Sequence, residues 1–127
     1  MRIERLEQYR GLKAEVKAIE KLIDDLYVPI ASPNGNHSTS VPSNPTEKTA
    51  LRIIALKERL RAKQEKMMKE LCEIEMWLET VSDSEIRAII REHYLNGCSW
   101  YQTNYRVYNY YDYSYSRKRL MRFFGKE

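Results

Sequence analysis

Apolar residues recur along most of this chain at alternating spacings of three and four. Over residues 1–28, Tyr9, Leu12, Val16, Ile19, Ile23 and Leu26 keep that rhythm, with Glu and Lys filling the positions between. Such alternation marks one face of an α-helix and reads as the a/d seam of a coiled coil. A seam this short is marginal alone in water, so the pattern predicts a helix that packs on a partner. A second run supplies one. Across 47–81, Ile53, Leu60, Met67, Ile74 and Val81 fall seven apart, joined by Leu56, Leu71, Trp77 and Leu78. Lys63 and Glu70 stand at d positions of this run, so its heptad is imperfect. Asn44-Pro45-Thr46-Glu47 opens it, with Asn as N-cap, Pro at the first helical position and Glu at N3.

Between the two runs, residues 29–46 contain all four prolines (Pro29, Pro33, Pro42 and Pro45), together with Asn34-Gly35 and several Ser and Thr. This composition buries too little to offset its ordering entropy, which predicts a flexible connector that lets the second helix fold back on the first. After residue 81 the helix signals shorten. Ser82-Asp83-Ser84-Glu85 reads as a capping box, followed by the apolar face of Ile86, Ile89, Ile90 and Tyr94. Asn96-Gly97 ends that helix, with Gly97 suited to a left-handed conformation. Ser99-Trp100-Tyr101-Gln102 is a second capping box, opening a helix to about Asn109 with Trp100 as a core anchor. A third start at Ser114 leads to a helix ending near Gly125, with Leu120, Phe123 and Phe124 facing inward. The expected fold is all-α: a long, coiled-coil-like N-terminal helical hairpin, then a small three-helix helix-turn-helix module over 82–127.

Charge changes the picture by its placement. Lys and Arg exceed Asp and Glu by 22 − 18 = +4. From Tyr101 onward there are six basic residues against two acidic ones, 6 − 2 = +4, so the whole excess lies there. A concentrated positive charge is where a polyanion would be met. In the last helix Tyr115, Lys118, Arg119 and Arg122 fall at i, i+3, i+4 and i+7. The candidate DNA-contacting residues are Tyr115, Ser116, Arg117, Lys118, Arg119 and Arg122, with Arg106 from the preceding helix. Arginines could fork onto guanine edges there, while Lys and Tyr meet phosphates. Eight of the ten tyrosines lie between Tyr94 and Tyr115. Three readings stand open for them: core filling, stacking on bases, and a protein interface.

Other chemistry is not signalled. Cys72 and Cys98 lie far apart with no His at ligand spacing, which predicts reduced thiols and neither a metal site nor a disulfide. No export signal and no apolar run of membrane-spanning length is visible. His37 and His93 lack the partners of a catalytic triad, and there is no phosphate-binding Gly loop. The expectation is a cytoplasmic protein that is not an enzyme and has no cofactor.

The run SDSEIRAIIREHYLNGCSW resembles the corresponding segment of sigma-factor region-4-like domains. With the order of elements over nearly the full length, and with Ser114–Leu120, the chain is similar to phage late-gene transcriptional regulators of the ArpU/RinA type. The resemblance implies a phage or prophage protein in a bacterial host cytoplasm that binds double-stranded DNA and regulates late or packaging genes. The size of the reading module favours a homodimer. RNA polymerase or another protein stands as a further candidate partner. Thr103 and Asn104 stand where such regulators carry an Ile-Ala pair, and the connection from Tyr108 to Tyr113 is longer than a minimal turn. These departures keep two other readings open: a protein-binding adaptor or inhibitor that reuses the scaffold, and a small terminase-like DNA-packaging subunit.

Overall fold

The computed structural model describes residues 1–27 and 47–125, and every element among them is helical. The connector expected at 29–46, the N-cap expected at Asn44, His37 and Lys126 lie outside the described residues. Helix α1 spans Ile3–Tyr27 and α2 spans Glu47–Leu78, forming the two arms of the expected hairpin. Helix α3 (Ser84–Ile90) runs on through a π-helical turn at Arg91–Leu95, and α4 (Trp100–Tyr108) and α5 (Tyr115–Phe123) follow.

The chain packs as two compact units, one of Ala14–Lys66 and one of Met1–Lys13 with Met67–Glu127. The division falls inside the hairpin arms. In the Ala14–Lys66 unit, Val16, Ile19 and Ile23 of the seam are buried, as is Ile53 of α2. Lys63, a charged d position, donates to Glu15 at 2.9 Å, so the break in the heptad is a cross-helix ion pair. Further along, the Lys57 ammonium lies 5.2 Å from the centroid of the Tyr27 ring. Residue numbers rise on α1 as they fall on α2, so the arms are antiparallel here.

In the other unit, α1 buries Ile3, Leu6 and Tyr9 against Ile74 and Leu78 of α2 and against Ile86, Ile89 and Ile90 of α3. The spacing of three at this end replaces the alternating seam because α1 now meets two helices. The second charged d position is also an ion pair: Arg5 Nε donates to Glu70 Oε2 at 3.0 Å, and Arg5 also pairs with Glu73.

Local chemistry sets the ends of α3. Its N-cap is Asp83, one residue beyond the expected Ser82: Asp83 Oδ1 accepts from the amides of Glu85 (2.9 Å) and Ile86 (3.3 Å). At the far end the Asn96 amide reaches back to the Arg91 carbonyl at 2.8 Å, closing the wider turn, and Gly97 takes the expected left-handed conformation, φ +79°. Helix C-termini leave carbonyls without intrahelical donors, and cations are favoured there. Two side chains of α1 serve these groups. Arg10 Nε donates to the His93 carbonyl at 3.1 Å, and Lys13 Nζ donates to that of Leu95.

His93 completes this end. It is buried, its ring stacks on Trp100 with centroids 3.6 Å apart, and its Nδ1 lies 2.8 Å from the Cys98 carbonyl. Burial, and then the positive charge of Arg10, lower its pKa from 6.5 to about 4, so the ring is neutral at pH 7. The unfolded chain therefore binds a proton that the folded one refuses between pH 6.5 and 4. The stabilisation is complete above 6.5 and is lost as pH falls through that window, by about 1–3 kcal/mol. Urea midpoints measured from pH 7.5 to 4 should show this slope, and His93→Phe should flatten it.

Candidate nucleic-acid interface

The second capping box forms as expected: Ser99 Oγ accepts from the Gln102 amide at 3.1 Å, and the Ser99 amide donates to Gln102 Oε1 at 3.2 Å. Helix α4 ends at Asn109 in a left-handed conformation, φ 67°. Its inner face carries Thr103 and Asn104, both 0% exposed. Asn104 Nδ2 donates to the Tyr110 carbonyl at 2.9 Å. Its Oδ1 accepts from the Ser116 hydroxyl at 2.6 Å and the Ser116 amide at 3.1 Å. Asn104 thus joins α4 to both the connection and the first turn of α5.

That connection needs its length. Ser114 sits at the N-cap of α5 without capping it; the cap is Asp112, whose Oδ1 accepts from the amides of Ser114 (2.8 Å) and Tyr115 (2.7 Å). Those two amides hold the Asp112 carboxyl below its usual range. One further residue, Tyr111, lays its ring 4.5 Å from that of Tyr101 and 4.4 Å from that of Tyr105.

Residues of α5 turn by about 100° each. Leu120 is buried and Phe124 half-buried, and the exposed side carries Arg117, Lys118 and Arg122. Two sequence-derived candidates change role. Ser116 is buried against Asn104 and is not a surface group, because it lies on the same inward side as Leu120. Arg119 is half-buried and turned toward the start of α3, where its Nη2 lies 3.1 Å from Asp83 Oδ2 and 2.6 Å from Glu85 Oε2. It braces α5 to the N-terminus of α3 instead of standing on an open face with Lys118 and Arg122. Removing it should cost stability: Arg119→Met is expected to lower the thermal midpoint by a few degrees, about 1 kcal/mol after solvent screening. Unchanged melting in a calorimeter would contradict the brace.

The remaining candidates are exposed. Tyr115 meets Tyr108 edge to face at 5.1 Å, and burial pushes the Tyr108 phenol up to about 12. Arg106 lies 3.6 Å from the Glu92 carboxylate, which offsets part of its charge. Phe123, expected inward, is 43% exposed and approaches Trp77 edge-on at 6.5 Å, while Phe124 stacks on Trp77 at 6.1 Å. Of the tyrosines between 94 and 115, Tyr94 alone is buried, so core filling describes few of them.

The sequence reading missed Asn104 as an organising residue and Asp112 as the cap of α5. A signal for Asp112 was present, since Asp two residues before Ser-Tyr-Ser is an Asx-turn pattern. Among the described residues no group of three or more His, Cys, Asp or Glu is placed to hold a metal ion, and no helix is long and apolar enough to cross a membrane. No protein-family model matches the chain, and neither the curated proteins nor the solved structures returned a match.

Proposed function

We propose that this protein is a sequence-specific DNA-binding transcriptional regulator of phage or prophage late or packaging genes, acting as a homodimer in the bacterial cytoplasm. The observation that carries the reading is the exposed side of α5, where Lys118 and Arg122 share one face and Arg117 flanks it, on a helix held from behind by Ser116, Arg119 and Leu120. A helix of this length fits the major groove, where arginine forks read guanine and lysine meets phosphate. The phage and late-gene assignment rests on the resemblance carried by the run SDSEIRAIIREHYLNGCSW and by Ser114–Leu120.

The test is recovery of bound DNA from cells, then titration of purified protein on the recovered duplex at several salt concentrations. The reading expects one enriched site and an affinity falling steeply with salt, by about 0.9 decade per decade for each phosphate contact. Absence of salt-sensitive duplex binding would overturn it. A protein-binding adaptor is the second reading, favoured by the exposed tyrosines 105, 110, 111 and 113. A ring-sized mass in light scattering would instead favour a DNA-packaging subunit.

A further inference from the structure

We infer that the tyrosine stack on α4 and the α4–α5 connection is a platform for unpaired nucleic-acid bases. Four rings form a continuous series in the order Tyr113, Tyr101, Tyr111, Tyr105. Successive centroids lie 4.4, 4.5 and 4.4 Å apart, with interplanar angles of 31°, 19° and 14°. The origin of the series is local: Tyr101 and Tyr105 stand one turn apart on α4, and Tyr111 enters between them from the connection.

Pinning the connection accounts for Tyr111, whose ring has a neighbour on each side. It does not account for Tyr113. That ring is 76% exposed, touches the stack through Tyr101 alone, and leaves its other face open to water. An aromatic ring already held against a stack, here tilted by 31° to Tyr101, accepts another flat ring at little further cost in ordering. Every base has such a face, so stacking of this kind is tolerant of sequence.

Charge decides between partners. Asp112, between Tyr111 and Tyr113 in the chain, caps the first turn of α5 through the amides of Ser114 and Tyr115, and Lys118 follows one turn on, its amide donating to the Ser114 carbonyl at 2.9 Å. The basic helix α5 therefore begins at the connection that carries Tyr111 and Tyr113. Aromatic rings beside a cationic track suit a single strand, with bases on the rings and phosphates along the cations. The inference rests on the nucleic-acid reading of α5 only for that adjoining charge. A ligand of duplex continuing into an unpaired strand would engage both surfaces at once.

The experiment measures fluorescence anisotropy of labelled oligothymidine of about twelve nucleotides, within the range of single-strand site sizes, on the full-length protein at low salt. Blunt duplex is titrated in parallel. The native protein is expected to bind oligothymidine, and Tyr113→Leu to weaken that binding about tenfold. Tyr113→Phe should retain it, because the ring and not the hydroxyl is used. Blunt duplex binding and the thermal midpoint should be unchanged in both variants, since Tyr113 lies at the exposed end of the series. Native-like oligothymidine binding by Tyr113→Leu overturns the inference. So does failure of the native protein to bind oligothymidine, which would leave the rings as a pin for the connection or a protein-facing surface. Loss of duplex binding with oligothymidine binding intact would instead overturn the regulator reading and leave the platform standing.

Discussion

Replacing Asn104 with alanine should cost about 3 kcal/mol of stability, a large share of what a small protein has. The side chain is fully buried, and both its polar atoms are engaged: Nδ2 on the Tyr110 carbonyl, Oδ1 on the hydroxyl and amide of Ser116. Alanine removes the partner from three groups at once and leaves a void. Each buried donor or acceptor left unpaired costs about 1–3 kcal/mol, and water entering the void would recover part of that. Ser116→Ala separates the terms, because it removes the hydroxyl donor to Oδ1 and leaves the Nδ2 bond to Tyr110. The urea midpoint is the measurement. Pairing Asn104→Ala with Ser116→Ala in a double-mutant cycle should give a coupling of about 1 kcal/mol or more, since each loses the same contact. A loss below about 1 kcal/mol for Asn104→Ala, or no coupling, would mean that this buried knot does not hold the connection.

The same residue shows where sequence reading stops. Periodicity made the helices legible, along with most of the buried face of each, because burial follows the helical repeat. It misread charged d positions as defects: Lys63 and Glu70 interrupt the seam, yet each meets an opposite charge on the other arm, Glu15 and Arg5. It began the α1 seam at Tyr9 and missed Ile3 and Leu6, because there the helix contacts two partners and the alternation of three and four no longer applies. Ser82 and Asp83 are both good N-caps by residue type. Asp83 is the cap in the structure, and its second carboxylate oxygen meets Arg119, a contact between residues 36 apart in the chain. Arg119 and Ser116 illustrate the same limit on the site. Helical spacing groups residues into faces, but which face is covered depends on α3 and α4, whose placement a single sequence does not give. The capping box at Ser99, by contrast, is a contact within four residues and was legible in full.

If α5 reads duplex DNA as proposed, reversing the charge of Lys118 and Arg122 together should reduce affinity for the duplex recovered from cells by more than about 100-fold. Both side chains are exposed on α5, and neither belongs to the buried set of Ser116 and Leu120 that holds the helix. An arginine forked onto a guanine edge contributes about 1–3 kcal/mol of discrimination, and each neutralised phosphate adds a salt-dependent part. The salt slope carries more information than the affinity. Removing the one phosphate contact of Lys118 should flatten it by about 0.9 in a monomer, and by about 1.8 in a dimer that places both copies of α5 on one site. The change in slope therefore reads the number of reading helices without a separate mass measurement. Arg106→Ala is the comparison: its guanidinium is already near Glu92, so a smaller change in slope is expected. Arg119→Met should lower the thermal midpoint and leave the slope nearly native, because its charge faces Asp83 and Glu85 instead of solvent. Native affinity in the charge-reversed protein would exclude the outward side of α5 as the duplex-reading surface.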